Sequence, residues 1–167
     1  QLEQGEMFKS EISSDEKHHH SINLKKDRFA FLKLLQKGID LKVTTYNPLG
    51  EKLEEFDSPN HRNGYELLTI TSDKEGEYLV VVESIDEKDH AGTYNLVVES
   101  IKDKAETPAE QVDELFTFWD TDKTPGGAVA VVKDGEIIFK KAYGVANLEY
   151  NIPVTPSSIF HIASVSK

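Results

Sequence analysis

The sequence contains no cysteine, which excludes disulfide staples, thiolate metal sites and thiol nucleophiles and leaves the redox compartment open. Basic residues are scarce, with 19 Lys plus Arg against 30 Asp plus Glu and a formal net charge of -11. That balance repels phosphate backbones and anionic lipid surfaces, so nucleic acid is not an expected partner. Long hydrophobic runs are missing as well. The longest, around Leu79 to Val82 and Ala128 to Val132, fall far short of the roughly 20 residues a bilayer-spanning helix needs, and no membrane span is expected. At 167 residues the chain suffices for one ordinary domain or two small ones, and is short for an enzyme built of a helical and a sheet subdomain. It begins with Gln1 rather than Met, from which a removed secretory signal and a secreted or periplasmic location are expected.

Apolar material is present in quantity. With 8 Phe, 6 Tyr, 1 Trp and 38% hydrophobic residues the chain can build a core. From Gly5 to Ser100 short β-branched and aromatic segments are separated by Gly, Pro, Asn and Asp. Ile39, Leu41 and Val43 alternate with polar neighbours; Tyr78, Val80 and Val82, and the stretches Arg28 to Leu34, Tyr65 to Thr71 and Thr93 to Val98, repeat the theme. Turn residues lie between them at Gln36-Lys37-Gly38, Asn47-Pro48-Leu49-Gly50, Ser58-Pro59-Asn60, Lys74-Glu75-Gly76 and Ala91-Gly92. About seven or eight strands at this spacing predict a β-sandwich of jelly-roll type over residues 1–101.

Residues 102–107 are charged, contain few apolar side chains and precede Pro108, which reads as a linker. Beyond it Val112, Leu115, Phe116 and Trp119 recur at helical spacing. Thr107-Pro108 supplies a cap and first turn, and Glu110 lies near the positive helix end, so a helix is predicted over about 108–119. Thr124-Pro125-Gly126-Gly127 breaks the chain, and Ala128 to Lys133 and Glu136 to Tyr143 flank Asp134-Gly135 as the arms of a tight hairpin.

The sequence ends Ile159-Phe160-His161-Ile162-Ala163-Ser164-Val165-Ser166-Lys167, placing Ser164 and Lys167 in a Ser-x-x-Lys relation. On a helix both side chains share a face, the serine lies near unpaired amides of the first turn, and a desolvated lysine can take its proton. Alone the spacing says little, because Ser14-Asp15-Glu16-Lys17 satisfies it inside a polar turn. The context of Ser164 is richer: Pro125-Gly126-Gly127-Ala128-Val129-Ala130-Val131-Val132-Lys133-Asp134-Gly135, then Tyr143-Gly144-Val145-Ala146-Asn147, then Pro153-Val154-Thr155-Pro156, then Phe160 to Lys167. Over residues 108–167 this order resembles the opening of the serine β-lactamase and penicillin-binding-protein-like hydrolases, closest to the class C β-lactamase and D-alanyl-D-alanine carboxypeptidase branch.

The resemblance implies that residues 108–167 are the truncated start of an α+β serine hydrolase domain: helix, β-hairpin and nucleophile helix. Ser164 would be the acylated nucleophile, Lys167 its proton acceptor, and the Ser164 amide half of an oxyanion hole. No metal and no cofactor is expected. The implied substrates are small-molecule or peptidoglycan-derived amides and esters, among them β-lactams and D-alanyl peptides. A Tyr-x-Asn-like element and a Lys- or His-x-Gly strand, the family's further motifs, are absent from this stretch, which alone is not expected to turn over substrate, and Ile159, Phe160 and Ile162 would lack packing partners.

Asn47-Pro48-Leu49-Gly50, Gly76-Glu77-Tyr78-Leu79-Val80-Val81-Val82 and Ala91-Gly92-Thr93-Tyr94-Asn95-Leu96-Val97-Val98 resemble the bacterial pre-peptidase C-terminal family, a small β-sandwich appended to secreted hydrolases. That likeness implies an accessory role in secretion, stability, or contact with a cell surface or polysaccharide. A competing reading makes the whole chain a non-catalytic secreted binding or tethering module.

Other chemistry-bearing residues are read as structural. Adjacent residues of an extended segment face opposite ways, so His18, His19 and His20 are expected in a solvated loop or strand start rather than on a metal. Asp86, Glu87 and Asp89 lack the glycine-containing loop pattern of a calcium site and read as a solvated turn. His61 falls in a polar loop. Phe116 and Trp119 are expected as core contacts of the helix, and Tyr143 and Tyr150 as packing.

Overall fold

The structure, a computed structural model, describes residues 1–86, 90–121 and 123–166. Glu87, Asp89 and Lys167, to which the sequence attached expectations, lie outside that set. The chain forms two compact units, Gln1–Lys104 and Ala105–Lys167.

Among the described residues the first unit contains eight strands: β1 (Met7–Ser13), β2 (Lys17–Leu24), β3 (Arg28–Lys37), β4 (Leu41–Tyr46), β5 (Lys52–Phe56), β6 (Asn63–Ser72), β7 (Gly76–Ser84) and β8 (Ala91–Asp103). They form two antiparallel sheets, ordered β1-β8-β3-β6 and β2-β7-β4-β5. This is the strand order of a jelly roll, in which successive strands alternate between the two layers except β4 and β5, which pair within one. The inward residues follow the period of two read from the sequence. Ala30, Leu32 and Leu34 of β3 meet Leu41, Val43, Tyr78, Val80 and Val82 from the opposite sheet in one buried cluster. Burying a leucine or isoleucine side chain is worth about 2 kcal/mol, and Leu32, Leu34, Leu41, Leu68 and Leu96 are fully buried.

Strand β3 runs between β6 and β8 and is apolar on both faces. Phe29 and Phe31 fall outside the inner cluster, and ammonium groups lie over their rings, Lys102 at 5.0 Å and Lys33 at 5.3 Å from the centroids. At the Asn47 turn, Asn47 Oδ1 accepts from the amides of Leu49 (2.9 Å) and Glu51 (3.0 Å), and Gly50 takes the left-handed conformation, with φ 79°.

Three details differ from the sequence reading. Ala91 and Gly92 open β8 instead of forming a turn, because Gly92 lets the strand press against β3, where a Cβ would overlap the carbonyl of Lys37 and the side chain of Ile39. Lys102 and Asp103 continue β8, Asp103 pairing with Arg28 through its carboxylate. His20 is not solvated: it is buried within β2.

In the second unit helix α1 (Pro108–Leu115) starts with a capping box, Glu110 N donating to Thr107 Oγ1 at 3.3 Å and Thr107 N to Glu110 Oε2 at 2.9 Å. It ends four residues before the expected Trp119. Thr117 and Trp119 donate to carbonyls three residues back, as the aromatic and β-branched run Phe116-Thr117-Phe118-Trp119 favours helix least. Strands β9 (Gly127–Lys133) and β10 (Glu136–Tyr143) form the expected hairpin. Asp134 (φ 53°) and Gly135 (φ 83°) both take positive φ, as a type I′ turn requires. The short strands β11 (Val145–Asn147) and β12 (Ile152–Pro153) pair with each other.

Helix α1 buries no residue. Of the two residues expected as core contacts, Phe116 is half-buried and Trp119 is exposed, as is Leu115, because a two-stranded hairpin has too little surface to cover the helix's apolar stripe.

Candidate active site

The path to Ser164 begins where two glycines cross. Gly126 N donates to Val145 O at 2.8 Å and Val145 N to Thr124 O at 3.1 Å. A Cβ on Gly126 would overlap the Tyr143 carbonyl, and one on Gly144, itself at φ 63°, would overlap the Trp119 carbonyl. Only glycine permits backbones to approach so closely. Val154 N then donates to Gly144 O at 3.0 Å, fixing the start of the final segment. Thr155 N to Ser158 Oγ (2.9 Å) and Ser158 N to Thr155 O (2.9 Å) close a turn after Pro153-Val154.

Tyr143 anchors this arrangement. Its ring is 1% exposed and stacks on Phe116 with centroids 4.5 Å apart and planes 13° from parallel. Its hydroxyl donates to Asp113 Oδ1 at 2.7 Å, and Lys141 Nζ donates to the same oxygen at 2.6 Å. Burial, and after it the hydrogen bond to Asp113, pushes the phenol far above its ordinary range, so it stays protonated and remains a donor. This is packing, as the sequence reading had it; Tyr150 is instead 74% exposed. Sequence reasoning passed over Asp113 and Lys141, although Asp113 lies on the helix and Lys141 two residues before Tyr143, on the same face of β10.

From Ile159 the chain has no regular secondary structure as far as a single 3₁₀ turn, Ala163–Ser166, closed by Val165 N donating to Ile162 O at 3.0 Å. The expected nucleophile helix takes this short form. Ser164 is exposed on it. Ala163, directly before, has φ 43°, a left-handed conformation uncommon for a residue with a Cβ and the kind of local strain that collects at functional turns. Ile159 is 99%, Ile162 54% and Val165 84% exposed. Helices gain most of their stability by burying an apolar face, and Ile159 and Val165 bury little here. Lys167 lies outside the described residues, so the structure gives Ser164 and not its expected partner.

Among the described residues no group of three His, Cys, Asp or Glu side chains is arranged to hold a metal. No described helix is long and apolar enough to cross a membrane.

Residues 112–167 match the Beta-lactamase family model. The D-aminopeptidase of Gluconobacter oxydans is 54% identical over 43 residues, which are 26% of this chain and 8% of that enzyme. The D-aminopeptidase of Brucella anthropi is 51% identical over 45 residues, 27% of this chain and 9% of its own length. The chain thus spans less than a tenth of the length of the curated relatives it matches. Among solved structures, the pre-peptidase C-terminal domain of a collagenase from Bacillus anthracis is similar at a TM-score of 0.46 and 18% identity, over 59% of this chain and 90% of that one. The CspB protease of Clostridium perfringens gives a TM-score of 0.40 at 11% identity, over 59% of this chain and 27% of that one.

Proposed function

We propose that residues 108–167 open a β-lactamase-like serine hydrolase in which Ser164 is the acylated nucleophile and Lys167 its base. The observation that carries this reading is the family match over residues 112–167, whose last four residues are Ser164-Val165-Ser166-Lys167. Ser164 Oγ attacks the carbonyl carbon of an amide or ester, and its proton passes to the neutral amine of Lys167. The C–N or C–O bond of the tetrahedral intermediate then breaks, and the leaving group takes that proton. Water hydrolyses the resulting ester and regenerates the hydroxyl. The Ser164 amide stabilises the oxyanion as one of two donors. Neutral Lys167 requires a dry site that lowers its pKa. The exposure of Ile159, Ile162 and Val165 fits a turn whose apolar side is covered by further hydrolase polypeptide.

The substrate class is a small amide or ester, including β-lactams and peptidoglycan-derived D-alanyl peptides. The relatives' name, D-aminopeptidase, favours amides at a D-residue. The jelly roll of residues 1–104 serves as an accessory module of a secreted or periplasmic enzyme, in contact with a surface or polysaccharide. Hydrolysis of D-alanyl amides and of a chromogenic cephalosporin by the full-length gene product tests the reading. Ser164→Ala and Lys167→Ala should each lower kcat/KM by about a thousand-fold or more. Unchanged turnover in Ser164→Ala would overturn it.

A further inference from the structure

Strand β2 carries His18, His19 and His20 in succession, and the pleat separates them. His18 and His20, two residues apart, share the inner face, while His19 is exposed on the other. Across the sandwich Tyr94 of β8 points back at the pair. Its Oη stands 2.9 Å from His18 Nδ1 and 2.7 Å from His20 Nε2. Ser10 stands opposite Tyr94 in the β1–β8 register. Phe8 packs its ring against His20, centroids 4.6 Å apart at 67°. Two imidazole nitrogens and one phenol oxygen from different sheets therefore converge on one point.

The convergence lies where β1 and β2, edge strands of their respective sheets, come together. His18 is only half-buried, which leaves a route from solvent.

We propose that His18, His20 and Tyr94 form a binding site for an imidazole-preferring divalent cation of the zinc class. A tetrahedral zinc ion with bonds of about 2.0–2.1 Å holds its donors roughly 3.3 Å apart. The donors here stand 2.7 and 2.9 Å from the shared oxygen, so each separation needs to widen by only about half an ångström. The single phenol proton serves one imidazole nitrogen and the other ring donates its N–H to the phenol oxygen; on binding, that second ring carries its proton on its other nitrogen instead, both lone pairs turn to the ion, the phenol oxygen joins them and releases its proton to solvent, and a water fills the fourth position. Nitrogen donors favour zinc and copper over calcium and magnesium, which take oxygens.

The test is titration of zinc chloride into the EDTA-stripped and dialysed chain, followed by calorimetry and by the histidine ring signals in NMR spectra. One equivalent is expected to bind and to shift the rings of His18 and His20 but not of His19. His18→Ala and Tyr94→Phe should each weaken binding by about ten-fold or more, and His19→Ala by less than about two-fold. His18 is half-exposed, so its variant tests the site even if His20→Ala fails to fold. No binding by the unaltered chain at millimolar zinc would overturn the proposal. So would equal losses in His18→Ala and His19→Ala, which would mark the three histidines as an exposed tract binding indiscriminately.

Discussion

The Tyr143 hydroxyl donates to the Asp113 carboxylate at 2.7 Å, joining the last residue of β10 to helix α1. Asp113→Ala should cost more than Tyr143→Phe, because it leaves a buried phenol hydroxyl without its acceptor and removes the partner of Lys141. The expected losses are about 1–3 kcal/mol for Asp113→Ala and about 1 kcal/mol for Tyr143→Phe, since Lys141 continues to pair Asp113 in the latter. Hydrogen exchange of the β10 amides in the full chain measures both, and the opposite order would contradict the geometry.

Gly126→Ala should loosen the crossing that leads to Ser164. The new methyl would overlap the Tyr143 carbonyl and press on Gly144, both backbone, which cannot move aside as a side chain tip can. Gly135→Ala is the control. Its Cβ would meet nothing within 4 Å, but φ is 83°, so only the conformational cost of about 1 kcal/mol applies. Amide exchange at Val145 and Val154 should accelerate clearly more in Gly126→Ala than in Gly135→Ala.

Acid should weaken the sandwich through His20. Burial, with the nearby His18 charge second, lowers its pKa from 6.5 to about 4. A lowered imidazole pKa means that the unfolded chain takes up a proton below pH 6.5 that the folded chain refuses. The stability this contributes is complete above pH 6.5, falls as pH drops toward 4 and is gone below that. The slope is at most about 1.4 kcal/mol per pH unit and smaller in practice, since part of the ring environment is solvated. The bond to Lys17 holds the Glu83 carboxyl below its ordinary value. Urea midpoints at pH 7.5 and 4.5, in EDTA, should fall for the unaltered chain and converge for His20→Gln.

Much of this was legible in the sequence because it depends on short-range rules. The period of two located the cores of β3, β6, β7 and β8, the Asp134-Gly135 pair located its hairpin, and Thr107-Pro108 with Glu110 located the start of α1. The end of α1 was not legible, since spacing alone counted Phe116 and Trp119 as helical while the aromatic run broke the hydrogen-bond ladder. The burial of His20 is not legible locally: residues i and i+2 of a strand share a face, and the Tyr94 that covers it lies 74 positions away in the sequence. Nothing local announces such a partner. Gly92 misled for the opposite reason: glycine serves both turns and close strand approach, and only the Lys37 carbonyl beside it decides between them.

Peptide mapping by mass spectrometry of the full-length gene product, after exposure to a penicillin and separately to a fluorophosphonate, tests the hydrolase assignment most directly. The account predicts a single covalent adduct on Ser164, formed by at least one of the two reagents and absent in Ser164→Ala. An adduct at another serine, or labelling that survives Ser164→Ala undiminished, would contradict it.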